Sequence, residues 1–125
     1  MSEYSNFFEL QGQIIRAISV AEGDESVSIT TDQFVYVIDH AQDCCENVRV
    51  FEIQGDENLI LNRPILLAEE DDVAPEVVDP NYCFDSSYTW TKFTLQTEAG
   101  QFIFWFLGES NGYYSESVNV TKREL

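Results

Sequence analysis

The sequence predicts a mostly β protein, or an α+β one with short helices, and three observations carry that expectation. Ser26-Val27-Ser28-Ile29-Thr30 alternates apolar and hydroxyl side chains with the two-residue period of a half-buried strand. Residues 88–97 and 101–107 are rich in aromatic and β-branched side chains and flank Glu98-Ala99-Gly100, the strongest hairpin signature in the chain. The nearest approach to a helical period, Phe7, Leu10, Ile14, Ile15 and Ile18, is interrupted by Gly12, which favours a strand over its second half. Roughly seven strands are expected, forming an antiparallel β-sheet roll, sandwich or half-open barrel. Its core is expected around Val27, Ile29, Tyr36, Trp90, Phe102, Phe104 and Phe106.

Taken in order, the chain opens on an amphipathic turn over residues 3–10. Residues 13–20 are β-branched and run into the turn-like Ala21-Glu22-Gly23-Asp24-Glu25, so they read as the first strand of a hairpin that residues 26–30 complete. Thr31-Asp32-Gln33 then leads to Phe34-Val35-Tyr36-Val37-Ile38, apolar on both faces and therefore expected at the centre of its sheet. Residues 48–53 form a further strand, and Asp56 is placed to cap one short helical turn over 57–61. Arg63-Pro64 stops that turn, and residues 65–68 return to the core as an edge segment. In the 101–107 strand, Phe102, Phe104 and Phe106 share one face and Ile103, Trp105 and Leu107 the other, which predicts burial on both sides. Residues 113–120 re-enter a strand after Gly108-Glu109-Ser110-Asn111-Gly112.

A chain of 125 residues suits one domain, 1–125, interrupted by an acidic loop at 69–80. The charge is lopsided: 23 Asp and Glu against six Lys and Arg give a formal net charge of -17. Such a field repels phosphate backbones and anionic membranes, and the bases Arg16, Arg49, Arg63, Lys92, Lys122 and Arg123 are too scattered to offset it. Direct nucleic-acid binding is therefore not expected, whereas a basic protein partner is. Three cysteines are an odd number, and Met1-Ser2-Glu3-Tyr4-Ser5-Asn6 lacks the start of a secretory signal. A reducing cytoplasm with free thiols is the expectation. No apolar run reaches the roughly 18 residues of a membrane helix.

Candidate chemistry is densest in His40-Ala41-Gln42-Asp43-Cys44-Cys45-Glu46, which gathers the single histidine and two of the three cysteines. His40, Cys44, Cys45 and Glu46 are donors that zinc takes, with Cys83 as a further thiolate. The spacing opposes this, because adjacent cysteines in an extended segment point to opposite faces. A nucleophile reading, with Cys44 or Cys45 activated by His40 and oriented by Asp43 or Glu46, is opposed by the acidic field, which keeps a thiol protonated. The favoured reading is a corner after the 34–38 strand, with the thiols as small core residues and His40 and Glu46 hydrogen-bonding the loop.

Two other stretches carry binding potential. Ser110, Asn111, Tyr113 and Tyr114, together with Trp90 and Trp105, would form a small-ligand pocket; the plainer account is a turn whose Asn111-Gly112 supplies positive φ and whose tyrosines cover the sheet end. Glu69, Glu70, Asp71, Asp72, Glu76 and Asp79 would meet a basic partner in place of phosphates, against the plainer account of a solvated loop. That loop lacks the alternation and central glycine of a calcium-binding EF-hand. No glycine-rich phosphate loop, nucleophile elbow or paired-carboxylate signature is present.

Four phrases stand in sequence order: His40 with Asp43-Cys44-Cys45-Glu46, Pro64-Ile65-Leu66-Leu67-Ala68-Glu69-Glu70, Ser87-Tyr88-Thr89-Trp90-Thr91, and Gly108-Glu109-Ser110-Asn111-Gly112-Tyr113-Tyr114-Ser115-Glu116-Ser117-Val118. In this combination the chain resembles a small domain family of uncharacterised proteins met mainly in bacteriophage genomes, over residues 10–120. The resemblance implies a small β-rich phage protein made in the host cytoplasm and brings no catalytic residues to carry over. The acidic insert at 71–79, and Gln33 where a turn glycine is expected, depart from the pattern.

The expected function is therefore that of an acidic interaction protein. It would bind and inhibit or redirect a basic host protein, such as a nuclease of a defence system, by nucleic-acid mimicry, as anti-CRISPR and other anti-defence proteins do. The alternative is a small-ligand or zinc-binding module, or an enzyme acting on a nucleotide or other metabolite. The sequence favours a binding protein over an enzyme.

Overall fold

Alternation at 26–31 becomes alternating burial: Val27, Ile29 and Thr31 lie inside, while Ser26, Ser28 and Thr30 are half-exposed. The computed structural model describes residues 2–41, 45–76, 78–112 and 115–125. Cys44, Tyr113 and Tyr114 of the candidate sites, and Asp43 beside them, lie outside the described residues. The strands are β1 (Ser2–Ser5), β2 (Ile15–Val20), β3 (Ser26–Thr31), β4 (Phe34–Asp39), β5 (Asn47–Gln54), β6 (Leu67–Asp71), β7 (Ser87–Thr97), β8 (Gly100–Ser110) and β9 (Asn119–Glu124). They form two antiparallel sheets, ordered β1-β9-β4-β3-β2 and β5-β8-β7-β6. The fold is mostly β and sandwich-like, with two short 3-10 turns, Phe7–Leu10 and Glu57–Leu59.

The strands number nine among the described residues, more than the expected seven or so. β1 carries no apolar alternation and exists because its backbone pairs with β9, from Ser2↔Arg123 to Ser5↔Val120. β9 itself runs over 119–124 rather than 113–120. Its Lys122 lies beside Tyr36 in the register, sets its Nζ 4.8 Å from the Phe34 ring and ends 2.9 Å from Glu9 Oε2. A long stem covering aromatic surface thus replaces the apolar residue that sequence reasoning looks for.

Phe102, Phe104 and Phe106 of β8 and Phe93 and Leu95 of β7 face Val27, Ile29, Tyr36 and Ile38 in one core. The Phe7–Leu10 turn plugs it: Phe7 lies 4.8 Å from Phe93 and 6.2 Å from Phe104, and Leu10 is fully buried. Trp90, expected in this core, is instead half-buried on the other face of its sheet, edge-on to Phe51 at 5.0 Å and Phe84 at 6.0 Å. In β7 the core-facing set is Thr91, Phe93 and Leu95, so the period of two sends Trp90 outward.

The β7-β8 hairpin pairs from Ser87↔Ser110 to Thr97↔Gly100, leaving a two-residue Glu98-Ala99 loop instead of three. Asp56 caps its turn as expected, its side chain accepting from Asn58 N–H. The acidic insert begins as a strand rather than a loop. Glu69, Glu70 and Asp71 stand opposite Thr94, Phe93 and Lys92, because main-chain pairing with β7 holds whatever side chains the segment carries.

Candidate functional site

One end of the sandwich collects buried polar residues where β4 ends, β5 begins and β8 runs out. A Cβ on Gly108 would stand 2.5 Å from the Glu116 carbonyl oxygen, so only glycine lets the 115–118 segment lie directly on β8. The Glu116 carboxylate accepts from Ser110 Oγ at 2.5 Å and Thr89 Oγ1 at 2.9 Å. Ser110 Oγ in turn accepts from Gly112 N–H at 3.0 Å, and Gly112 takes the expected positive φ of 97°. Next to Ser110 in the chain, Glu109 accepts from Arg49 Nη2 at 3.0 Å, Tyr82 Oη at 2.7 Å and Asp85 N–H at 2.9 Å.

Both carboxylates sit below the ordinary glutamate value. For Glu109, burial pushes upward but is outweighed by the Asp85 amide, Tyr82 and Arg49. For Glu116, burial is likewise outweighed, by the hydroxyls of Ser110, Ser87 and Thr89. They are ionised groups solvated by the protein rather than by water. Tyr82 moves the opposite way, raised first by burial and then by its hydrogen bond to Glu109.

His40 joins this end. Its Nδ1 donates to the Ser117 carbonyl oxygen at 2.7 Å, and its Nε2 lies 3.7 Å from Glu46 Oε2, with both side chains almost wholly buried. The His40 corner therefore meets the 115–118 segment that lies on Gly108. A cavity of about 440 Å³ opens beside them, lined by Gly23, Glu25, His40, Glu46 and Arg49 among others. Trp90 is not part of it, standing with Phe51 and Phe84 on the outer face of the second sheet.

The expectation of free thiols is corrected at Cys45, which is disulfide-bonded and so offers neither a thiolate ligand nor a nucleophile in this state. Cys83 is a free, exposed thiol whose Sγ lies 3.7 Å from the Asn81 carbonyl oxygen. Among the described residues no group of three or more His, Cys, Asp or Glu is gathered to hold a metal. His40 and Glu46 are the two cassette donors the fold places side by side.

The six carboxylates of the acidic insert are all exposed. Glu69, Glu70 and Asp71 stand on β6, and Asp72 follows at once. Glu70, exposed at its surface but lining the groove against the Phe7–Leu10 turn, is raised above its ordinary value, first by the partial loss of water there and then by Asp72 and Asp71. Glu76 and Asp79 lie in a segment pinned across the outer face of the sheet. Trp105 Nε1 donates to the Val73 carbonyl at 3.0 Å, Pro75 is buried, and Tyr82 meets Phe51 at 5.5 Å. Sequence reasoning missed Arg49, Tyr82, Glu109 and Glu116. The available signal was a single glutamate, Glu109, between Gly108 and Ser110 at the end of a strand otherwise apolar on both faces.

The family described as "Domain of unknown function (DUF7448)" matches residues 9–120, and the protein belongs to that family. The matched stretch takes in the His40 corner, the buried carboxylates and β6, and leaves out β1 and most of β9. No curated protein and no solved structure matches the chain.

Proposed function

We propose that this is a phage-encoded acidic interaction module, acting in the host cytoplasm, that binds and inhibits or redirects a basic host protein. A nucleic-acid-binding defence nuclease, of the kind that anti-CRISPR proteins target, is the class of partner that fits, and nucleic-acid mimicry is the mechanism. One observation carries the reading: Glu69, Glu70 and Asp71 are displayed on a strand built into the sheet, not on a floppy tether. A strand advances about 3.4 Å per residue and its side chains alternate, so Glu69 and Asp71 share one face, roughly 7 Å apart, and Glu70 takes the other. A fixed pair of carboxylates on one face of the sheet suits a groove lined with Lys and Arg. The net charge of -17 adds long-range steering toward such a groove.

Capture from host lysate tests the proposal. A partner should be retained at low salt, released as ionic strength rises, displaced by DNA, and lost with Glu69→Lys plus Asp71→Lys. If nothing associates at low salt, or affinity ignores ionic strength, mimicry is the wrong mechanism.

The cavity beside His40 and Arg49 favours a second reading, a small-ligand or zinc module. Stoichiometric zinc in untagged protein, lost on His40→Ala, would move the assignment there.

A further inference from the structure

We infer that β6 is the docking strand, and that an extended, lysine- or arginine-bearing segment of the partner pairs with its free edge. This rests on the reading of the protein as a binder of a basic partner, and adds which element binds and what shape the partner's segment takes.

The two sheets have four edges, and they differ in how they are closed. β2 is met by the chain at 61–65 at its first residue, where Asn62 N–H donates to the Ile15 carbonyl, and beyond that it carries Arg16 and no acid to attract a base. β5 is broken by a register shift between Val50 and Glu52, and its Val50 N–H is already taken by the Asp24 carbonyl. β1 offers four residues, and its single acid, Glu3, lies 3.9 Å from Lys122. On β6, Ala68 N–H points away from β7 and is itself taken, donating to Gln11 Oε1 at 3.1 Å, so the open part of this edge begins beyond Ala68. The alternation of an antiparallel strand sends Glu70 N–H to the same free edge, one pleat further along.

The surroundings of this edge distinguish a binding strand from a merely protected one. Charges on an edge strand ordinarily deter pairing. Here exposed apolar side chains border the charges. Phe8, Leu66 and Val73 are 62%, 60% and 50% exposed, three of the seven large hydrophobics so displayed among the described residues, and they stand beside, before and after β6. A groove of about 490 Å³ runs between the Phe7–Leu10 turn and β6, with Phe8 and Glu70 among its lining. A second copy of this chain is a poor occupant, because antiparallel pairing of two β6 strands sets Glu69–Asp71 against the same acids, and like charges directly opposite destabilise a sheet. A cationic strand reverses that sign. Its side chains alternate, so its bases meet Glu69 and Asp71 on one face while its apolar residues lie on the face of Glu70, where Phe8 lines the same groove.

The probe is a capped peptide of about eight residues, an ordinary strand length, alternating Lys and Val. The control is the same peptide with alternate backbone amides N-methylated, which keeps its charge and cannot pair. Titrated into the full-length protein at low salt, the parent peptide should shift the backbone amide resonances of Glu69, Glu70 and Asp71. The control should bind about ten-fold more weakly, the effect of losing one or two net hydrogen bonds. Glu70→Pro removes the free-edge donor without removing a β6-β7 bond and should also weaken binding about ten-fold, whereas Glu70→Gln, which keeps the donor, should weaken it only about three-fold. Equal binding of parent and control, or shifts remote from β6, overturns the docking strand while leaving the basic-partner reading standing. No binding of the parent peptide at low salt overturns both. Should Glu70→Pro fail to fold, the two peptides on the unaltered protein decide the matter.

Discussion

Gly108 and the two glutamates near it show how much depends on single atoms. In Gly108→Ala the new methyl would stand 2.5 Å from the Glu116 carbonyl oxygen and 2.8 Å from its Cβ, so the 115–118 segment must lift off β8. A loss of about 2 kcal/mol is expected, read by urea unfolding, which is the usual cost of forcing a methyl into a filled space. Acid sensitivity follows from the same place. Glu109 and Glu116 have folded-state values below the ordinary 4.5, so the unfolded chain binds their protons more tightly. Their contribution to stability is complete above that value and disappears as pH falls through the lower, folded-state values. Asp39 and Glu70, raised chiefly by burial, act in the opposite sense, and the double variant Glu109→Gln, Glu116→Gln isolates the pair. Denaturation midpoints between pH 6 and pH 3 should fall for the native protein and flatten for the variant. At this scale the sequence revealed the Asp56 cap and the Asn111-Gly112 turn, whose signals are local. It did not reveal that Arg49 finds Glu109 60 residues away.

Two aromatic residues separate the elements that hold the sandwich from those laid over it. Phe7, buried between Phe93 and Phe104, should cost about 3–5 kcal/mol as Phe7→Ala, seen as a lower cooperative midpoint. Phe84 stacks on Tyr88 at 4.2 Å and touches Tyr82 and Trp90, all outside the core. Phe84→Ala should cost only about 1 kcal/mol and act locally, speeding limited proteolysis within 72–86 while the global midpoint hardly moves. The elements easiest to read were those whose burial pattern is written in their own residues, β3, β4, β7 and β8. β1, β6 and β9 were misread or missed because each is held by its neighbour's backbone and carries polar side chains that the pairing tolerates.

For the molecule as a whole, an excess of 17 negative charges makes the folded state repel itself. Thermal midpoints should therefore rise with added NaCl as the repulsion is screened, the reverse of what a fold held by surface ion pairs would do; calorimetry across ionic strengths checks the sign. The sequence alone determined the mostly β class, the central hairpin and the charge, because these depend on composition and on the side-chain period of neighbouring residues. Only the tertiary structure decided that two sheets stack, that Trp90 faces out, that the His40 corner meets the 115–118 segment lying on Gly108, and that the acidic insert begins as an exposed edge strand. Those features depend on which distant backbones pair and what each pleat then faces. Register is set by the closure of the whole sandwich, and a shift of one residue would have exchanged every inner and outer side chain.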